Sequence, residues 1–168
     1  GTLFLDEICE MDMDLQSKLL RFIQTGRFQR VGDSKEEQVD IRIICATNRD
    51  PLEEVRAGRF REDLYYRLNV FTLHLPPLRE RREDIPLLLN HYLAEAAREL
   101  AASAKTIDSE AMNVLRSYDW PGNVRQLVNT TRRLTVTAPG NVIGTQDLPT
   151  EMGGSTSQVR ATQDWTRS

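Results

Sequence analysis

The sequence predicts an α/β fold with a parallel sheet, followed by an all-helical region. Three observations carry this. Short apolar runs that end in polar residues, Thr2 to Leu5 before Asp6 and Val39 to Ala46 before Thr47, read as strands covered on both faces. Helical patterns lie between such runs, and that alternation is the mark of a parallel sheet with crossover helices. Beyond about residue 77 the alternation stops and three helical patterns follow one another.

In chain order, Thr2 to Leu5 is the first strand. Asp14 to Thr25 is an amphipathic helix whose Leu15, Leu19, Leu20, Phe22 and Ile23 fall near one stripe, with Gly26 as its stop. Arg27 to Val31 reads as a strand or hairpin arm, Gly32-Asp33-Ser34 as a turn, and Lys35-Glu36-Glu37 as a solvated tip. Val39 to Ala46 is the second strong strand. Asp50 to Ala57 is a short helix with Pro51 in its first turn, and Gly58 separates it from a second short helix, Arg61 to Leu68. Val70 to Leu75 is a third strand, closed by Pro76-Pro77. Glu83 to Leu100 carries Ile85, Leu88, Leu89, Tyr92, Leu93, Ala96, Ala97 and Leu100 on one helical face. A helix capped by Asp108 or Ser109 runs to about Tyr118, and another follows the break at Trp120-Pro121-Gly122-Asn123, from Val124 to Val136. The Gly/Ser/Thr-rich stretch after Gly153 reads as a linker.

Composition removes several function classes. The 168 residues hold 22 Lys plus Arg against 25 Asp plus Glu, a net charge of −3, which disfavours a domain that coats nucleic acid. No apolar stretch is long enough to span a bilayer, and the first residues are not expected to be a signal peptide. Cys9 and Cys45 form neither a disulfide framework nor a metal motif and read as free thiols. His74 and His91 lack partners at ligand spacing. The acids from Asp6 to Asp14 lack the glycine and terminal glutamate of a calcium loop and read as a helix-entry region. The chain opens on a strand without an initiator methionine and is expected to be a piece of a longer protein.

The chemistry is expected at the strand ends, since ligands of open α/β sheets bind beyond the carboxyl ends of the strands. Asp6 there suits a hydrated Mg²⁺, and Glu7 a polarised water; the competing reading makes Asp6 a helix cap and Glu7 a solvated acid. If the two strands are neighbours, Asn48 emerges beside Asp6, where an amide orients a water or meets a γ-phosphate; otherwise it belongs to a turn. Arg56, Arg59, Arg61 and Arg67 suit phosphate, or else a salt-bridged helix, since Glu62 and Asp63 interleave. Acid pair, polar strand end, arginine-rich segment and helical lid, in that order, are the layout of a P-loop nucleotide hydrolase with a second subdomain.

The strings themselves are more specific. Gly1-Thr2-Leu3-Phe4-Leu5-Asp6-Glu7-Ile8 resembles the Walker B motif of the AAA+ activators of sigma-54 RNA polymerase. Also similar to that family are Arg30-Val31-Gly32, Ala46-Thr47-Asn48, the run from Phe60 to Val70, Leu75-Pro76-Pro77-Leu78-Arg79-Glu80-Arg81-Arg82 and Trp120-Pro121-Gly122-Asn123-Val124-Arg125. The stretch from Arg125 through Pro149, with Ser155 to Gln158 and Trp165, looks closest to the nitrogen-regulation branch.

The resemblance implies the C-terminal half of a AAA+ core, with residues 1–77 in the α/β subdomain, 78–150 in linker and helical lid, and 151–168 leading toward a DNA-binding domain. It implies ATP and Mg²⁺ as cofactors. Asp6 would help hold Mg²⁺, Glu7 would activate the attacking water, and Thr47 with Asn48 would sense the γ-phosphate. Arg61 and Arg67 would be arginine fingers for a neighbouring protomer in a hexameric or heptameric ring, and Arg125 would contact the nucleotide from the lid. The implied partners are those protomers, sigma-54 RNA polymerase and enhancer DNA; the implied setting is cytoplasmic, within a two-component system. Gly-x-x-x-x-Gly-Lys-[Ser/Thr] does not occur in the 168 residues, so the chain alone is expected to be inactive. Cys9 stands where relatives often carry glycine. A AAA+ machine with another client, and a non-hydrolysing regulator that only oligomerises, are the alternatives.

Overall fold

The computed structural model describes residues 1–29 and 35–153. The turn expected at Gly32 to Ser34, the ends of the arm at Arg30 and Val31, and the linker beyond Gly153 with Trp165 lie outside the described residues. The chain divides into two compact units, with the break between His74 and Leu75.

In the first unit, β1 (Thr2–Leu5) pairs in parallel with β4 (Arg42–Cys45), Thr2 opposite Arg42 and Leu5 opposite Cys45. Between them come α1 (Met13–Thr25) and an antiparallel hairpin of β2 (Arg27–Gln29) and β3 (Glu36–Gln38). The α1 helix starts where the Asp12 carboxylate accepts from Leu15 N at 2.8 Å, and stops at Gly26, whose φ of 66° costs a residue without Cβ nothing. The chain continues into α2 (Pro51–Arg56), capped by Asp50 with proline in its first turn, and α3 (Glu62–Leu68). Ile8, Cys9, Leu20, Phe60 and Leu64 form the core beneath the strand ends.

Four expectations are corrected here. Val39 to Ala46 is not one strand: β4 begins at Arg42, and Val39 N instead bonds Gly26 O at 2.9 Å, extending the hairpin. Glu36 and Glu37 are not a loop tip but belong to β3. Val70 to Leu75 forms no strand; Val70, Phe71, Leu73 and Leu75 are 75–85% exposed. A strand needs ladder bonds and cross-strand packing, and among the described residues no segment pairs with this one. On α1, Leu15 is 47% exposed while Gln16 is fully buried with Leu20, because positions 16 and 20, one turn apart, share the inner face.

The second unit is mainly helical. Short 3₁₀ turns at Leu78–Glu80 and Arg82–Asp84 lead into α4 (Ile85–Glu99), followed by α5 (Ser109–Ser117) and α6 (Asn123–Thr137). The core gathers Leu78, Ile85, Leu89, Leu93, Leu115, Trp120, Leu127, Leu134 and Ile143. The region is not all helix. Thr106–Ile107 (β5) and Val142–Ile143 (β6) make a two-residue parallel ladder that ties the segment before α5 to the one after α6. Two-residue strands lie below the length at which alternation is legible. Trp120 is fully buried at φ 50°, its indole N–H donating to Leu115 O at 2.8 Å, so core packing governs the break before α6.

Candidate functional site

The register of β1 on β4 sets the site. Leu5 lies opposite Cys45, Ala46 N donates to Leu5 O at 2.9 Å, and Ile8 N donates to Ala46 O at 3.0 Å. The two strands are therefore neighbours and end level, so Asp6-Glu7 and Thr47-Asn48 leave the same edge side by side. Asp6 is exposed, and among the described residues its Oδ1 accepts only from Glu7 N, at 3.0 Å. It does not cap the following helix; Asp12 does. Glu7 is exposed with φ 52°, a left-handed conformation that few side-chain-bearing residues adopt. Such outliers gather where a side chain must be aimed. Thr47 Oγ1 accepts from Arg49 N at 3.1 Å, while Asn48 is exposed, with no partner for its amide among the described residues. Asp50, not Asn48, caps α2.

These residues fit the implied metal nucleotide. Among the described residues no three His, Cys, Asp or Glu side chains gather to cage a metal. A lone open carboxylate suits Mg²⁺, which keeps waters and takes its remaining ligands from substrate phosphates.

The two arginines are treated differently by the fold. Arg61 is the N-cap residue of α3 and half-buried: Nε and Nη2 donate to the two Asp63 oxygens at 2.9 and 2.7 Å, Nη1 donates to Ser17 Oγ at 2.9 Å, and its backbone N donates to Gln16 Oε1 at 2.9 Å. The pair lowers the Asp63 carboxyl and raises the Arg61 guanidinium, in each case chiefly through their mutual hydrogen bond. Arg67, in the last turn of α3, is exposed and has no partner among the described residues. Arg61, with extended backbone, precedes the first turn of α3 and Arg67 lies in its last, so the fold holds the one at the start of the helix and leaves the other exposed at its end.

Sequence reasoning missed the supports. Glu54 is 6% exposed and is gripped by Arg59 and Arg49, and Arg49 also pairs with Glu10 in the turn after Glu7. The loop after β4 is thus tied to the turn after β1. Gln16 had a signal in the sequence: it stands four before Leu20, a polar residue on the apolar face. Cys9 is buried and Cys45 partly so; burial, and secondarily Cys9, pushes the Cys45 thiol up.

In the second unit, Arg125 lies in the first turn of α6, exposed, beside an open cavity of about 470 Å³ that Gly122, Gln126, Asn129, Arg133 and Glu151 also line.

A parallel strand pair with acids and polar groups leaving one edge, joined to a helical unit, is the architecture of a AAA+ ATPase core with its lid. Residues 79–164 match the AAA+ ATPase lid domain and residues 1–74 the Sigma-54 interaction domain. The chain belongs to the AAA+ family of sigma-54-dependent transcription activators, as part of the central domain. It is 56% identical over 149 residues to the regulatory protein LuxO of Vibrio parahaemolyticus, covering 89% of this chain and 33% of that protein. It is 54% identical over 156 residues to the DNA-binding transcriptional regulator NtrC of Escherichia coli strain K12, covering 93% and 33%. Crystal structures of NtrX from Brucella abortus in complex with ADP and with ATP superpose with TM-scores of 0.85 and 0.84 at 37% and 38% identity, over 90% of this chain and 36% of those chains. The chain thus spans about a third of the length of the relatives it matches.

Proposed function

We propose that this chain is part of the motor of a transcription activator that hydrolyses ATP to ADP and phosphate and uses it to remodel sigma-54 RNA polymerase at promoters. The observation that carries the reading is the level exit of Asp6-Glu7 and Thr47-Asn48 from neighbouring parallel strands. Asp6 would hold the magnesium of the nucleotide with its open oxygen. When bound, magnesium neutralises charge on the β- and γ-phosphate oxygens as the terminal bond breaks. Glu7, aimed by its left-handed backbone, would hold the attacking water and take its proton. Thr47 and Asn48 would read the γ-phosphate, and Arg125 would approach the nucleotide from the lid.

Phosphoryl transfer needs positive charge around the transferring group. Arg67 has no partner among the described residues, and Arg61 is held at the start of the same helix. In this reading both act on the nucleotide of a neighbouring protomer, so turnover requires a ring. The 168 residues carry about half of such a site and are expected not to turn over ATP alone. The setting is cytoplasmic, with enhancer DNA bound by another part of the protein; the likeness to LuxO and NtrC favours a response regulator.

The test is the ATPase rate of the full-length protein against its concentration. Specific activity that climbs steeply with concentration supports sites completed in trans. A flat rate removes the finger assignment. No turnover from a folded protein with an intact phosphate loop leaves the non-hydrolysing regulator, and turnover that does not open a sigma-54 promoter complex added to the assay leaves another client.

A further inference from the structure

Gln16 is fully buried in α1, yet every bond its side chain makes leaves the helix. Its Nε2 donates to Met11 O at 2.8 Å and to Arg59 O at 2.9 Å, and its Oε1 accepts from Arg61 N at 2.9 Å. Both amide donors are thereby used. One side chain joins the turn that follows Asp6-Glu7 to the loop that delivers Arg61. The next residue extends the grip: Ser17 Oγ accepts from Arg61 Nη1 at 2.9 Å and donates to Met13 O at 3.0 Å. Helix α1 therefore holds Arg61 at its backbone and at its guanidinium, while Asp63 takes the other edge of the fork.

The chemistry of this position is demanding. Two carbonyls need donors and one amide N–H needs an acceptor, all met by a side chain that is itself fully buried. Glutamate has the acceptor but no donors when ionised, and an apolar residue would take this partner from three part-buried backbone groups. Of the side chains that fit a helix interior, glutamine meets all three demands.

We propose that Gln16 is the positioning residue for Arg61, fixing where that guanidinium is presented to the neighbouring protomer's nucleotide. The proposal rests on the reading of Arg61 as acting in trans.

The experiment uses the full-length protein. Gln16→Met keeps the bulk of the side chain and removes all three bonds. Binding of a fluorescent ADP analogue should stay near wild type, and kcat should fall by about 10²-fold, the scale expected when a catalytic group is misplaced by about an ångström. The deciding measurement mixes variants. Glu7→Gln subunits lack the base but carry an intact Arg61; Gln16→Met subunits carry the base but a misplaced Arg61. Mixed rings should recover activity above either variant alone, because a Gln16→Met site can receive its arginine from a Glu7→Gln neighbour. Arg61→Ala mixed with Glu7→Gln is the reference. Recovery with Arg61→Ala but not with Gln16→Met overturns the role of Gln16, placing its effect in its own subunit's site or fold. No recovery with Arg61→Ala overturns the trans reading of Arg61, and this proposal with it. If Gln16→Met does not fold, Gln16→Asn, whose amide is one methylene short of Arg61 N, goes through the same mixture with the same outcomes expected.

Discussion

Arg59 meets Glu54 edge to edge, Nε donating to Oε2 and Nη2 to Oε1, each at 2.8 Å. Arg49 Nη1 adds a donor to Oε2 at 3.3 Å. Five positions apart, Glu54 and Arg59 close the short loop between α2 and α3, which leads directly to Arg61. The hydrogen bond from Arg59 holds the Glu54 carboxyl down at about 2 against an ordinary 4.5, with burial opposing.

A folded-state value below the unfolded one means that the ionised form is favoured by folding. The stabilisation is fully present above about pH 4.5 and is lost as pH falls through about 2. Glu54→Gln should therefore be less stable than wild type near neutrality, and the gap should narrow steadily across that window. Urea unfolding at a series of pH values measures it; a gap that stays constant down to the acid end contradicts the assignment.

Arg67→Ala should lower ATPase activity of the full-length protein by about 10³-fold or more, the scale for a transition-state arginine, with ATP binding nearly intact. It should leave unfolding free energy within about 0.5 kcal/mol, as for a surface residue without partners. Arg61→Ala should differ, because it also breaks the contacts to Asp63 and Ser17. Loss of binding in step with turnover for Arg67→Ala would point to folding instead.

Arg82 closes the C-terminal end of α5. Its Nη1 donates to the carbonyls of Arg116 at 3.1 Å and Tyr118 at 3.0 Å and also reaches Ser117 O, while Nη2 pairs with Asp119. These are the carbonyls that a helix end leaves without partners, and a cation there also meets the negative end of the dipole. Arg82→Ala should cost about 1–2 kcal/mol, read by denaturant unfolding. An unchanged midpoint would show that water replaces the guanidinium at no loss.

Trp120→Ala should cost about 3–5 kcal/mol, the range for emptying a buried aromatic site. Trp120→Phe should cost less, since it keeps most of the packing against Tyr118 and loses only the donor to Leu115 O. Thermal unfolding of both variants decides. Equal losses would mean that the indole hydrogen bond, rather than the volume, governs the site.

Long elements were legible because their signals are periodic and local. The stripe of α4, the Asp108 cap and the Gly26 stop depend on residues within a turn of one another, whereas the Asp12 cap of α1 came only with the structure. The pairing of β1 with β4 was legible only as a conditional, since a strand does not name its neighbour. Val70 to Leu75 shows the reverse failure: its apolar character speaks for a strand, but pairing is decided by what lies alongside. The β5–β6 ladder joins residues more than thirty positions apart through two-residue strands, too short for any pattern.

The acids Asp6 and Glu7, the polar pair Thr47 and Asn48, and the arginines were visible as residue types at the ends of recognisable elements, and their strings identified the family. Tertiary structure alone decided how those groups are held. It made Arg61 a bound cation and left Arg67 open, placed Glu54 between two guanidiniums, and turned Gln16 from an odd polar residue on a helix into a three-way buried link. The physical reason is that one-dimensional patterns record burial and local dihedral preference, whereas a hydrogen bond between positions 16 and 61 exists only once the chain has brought them together.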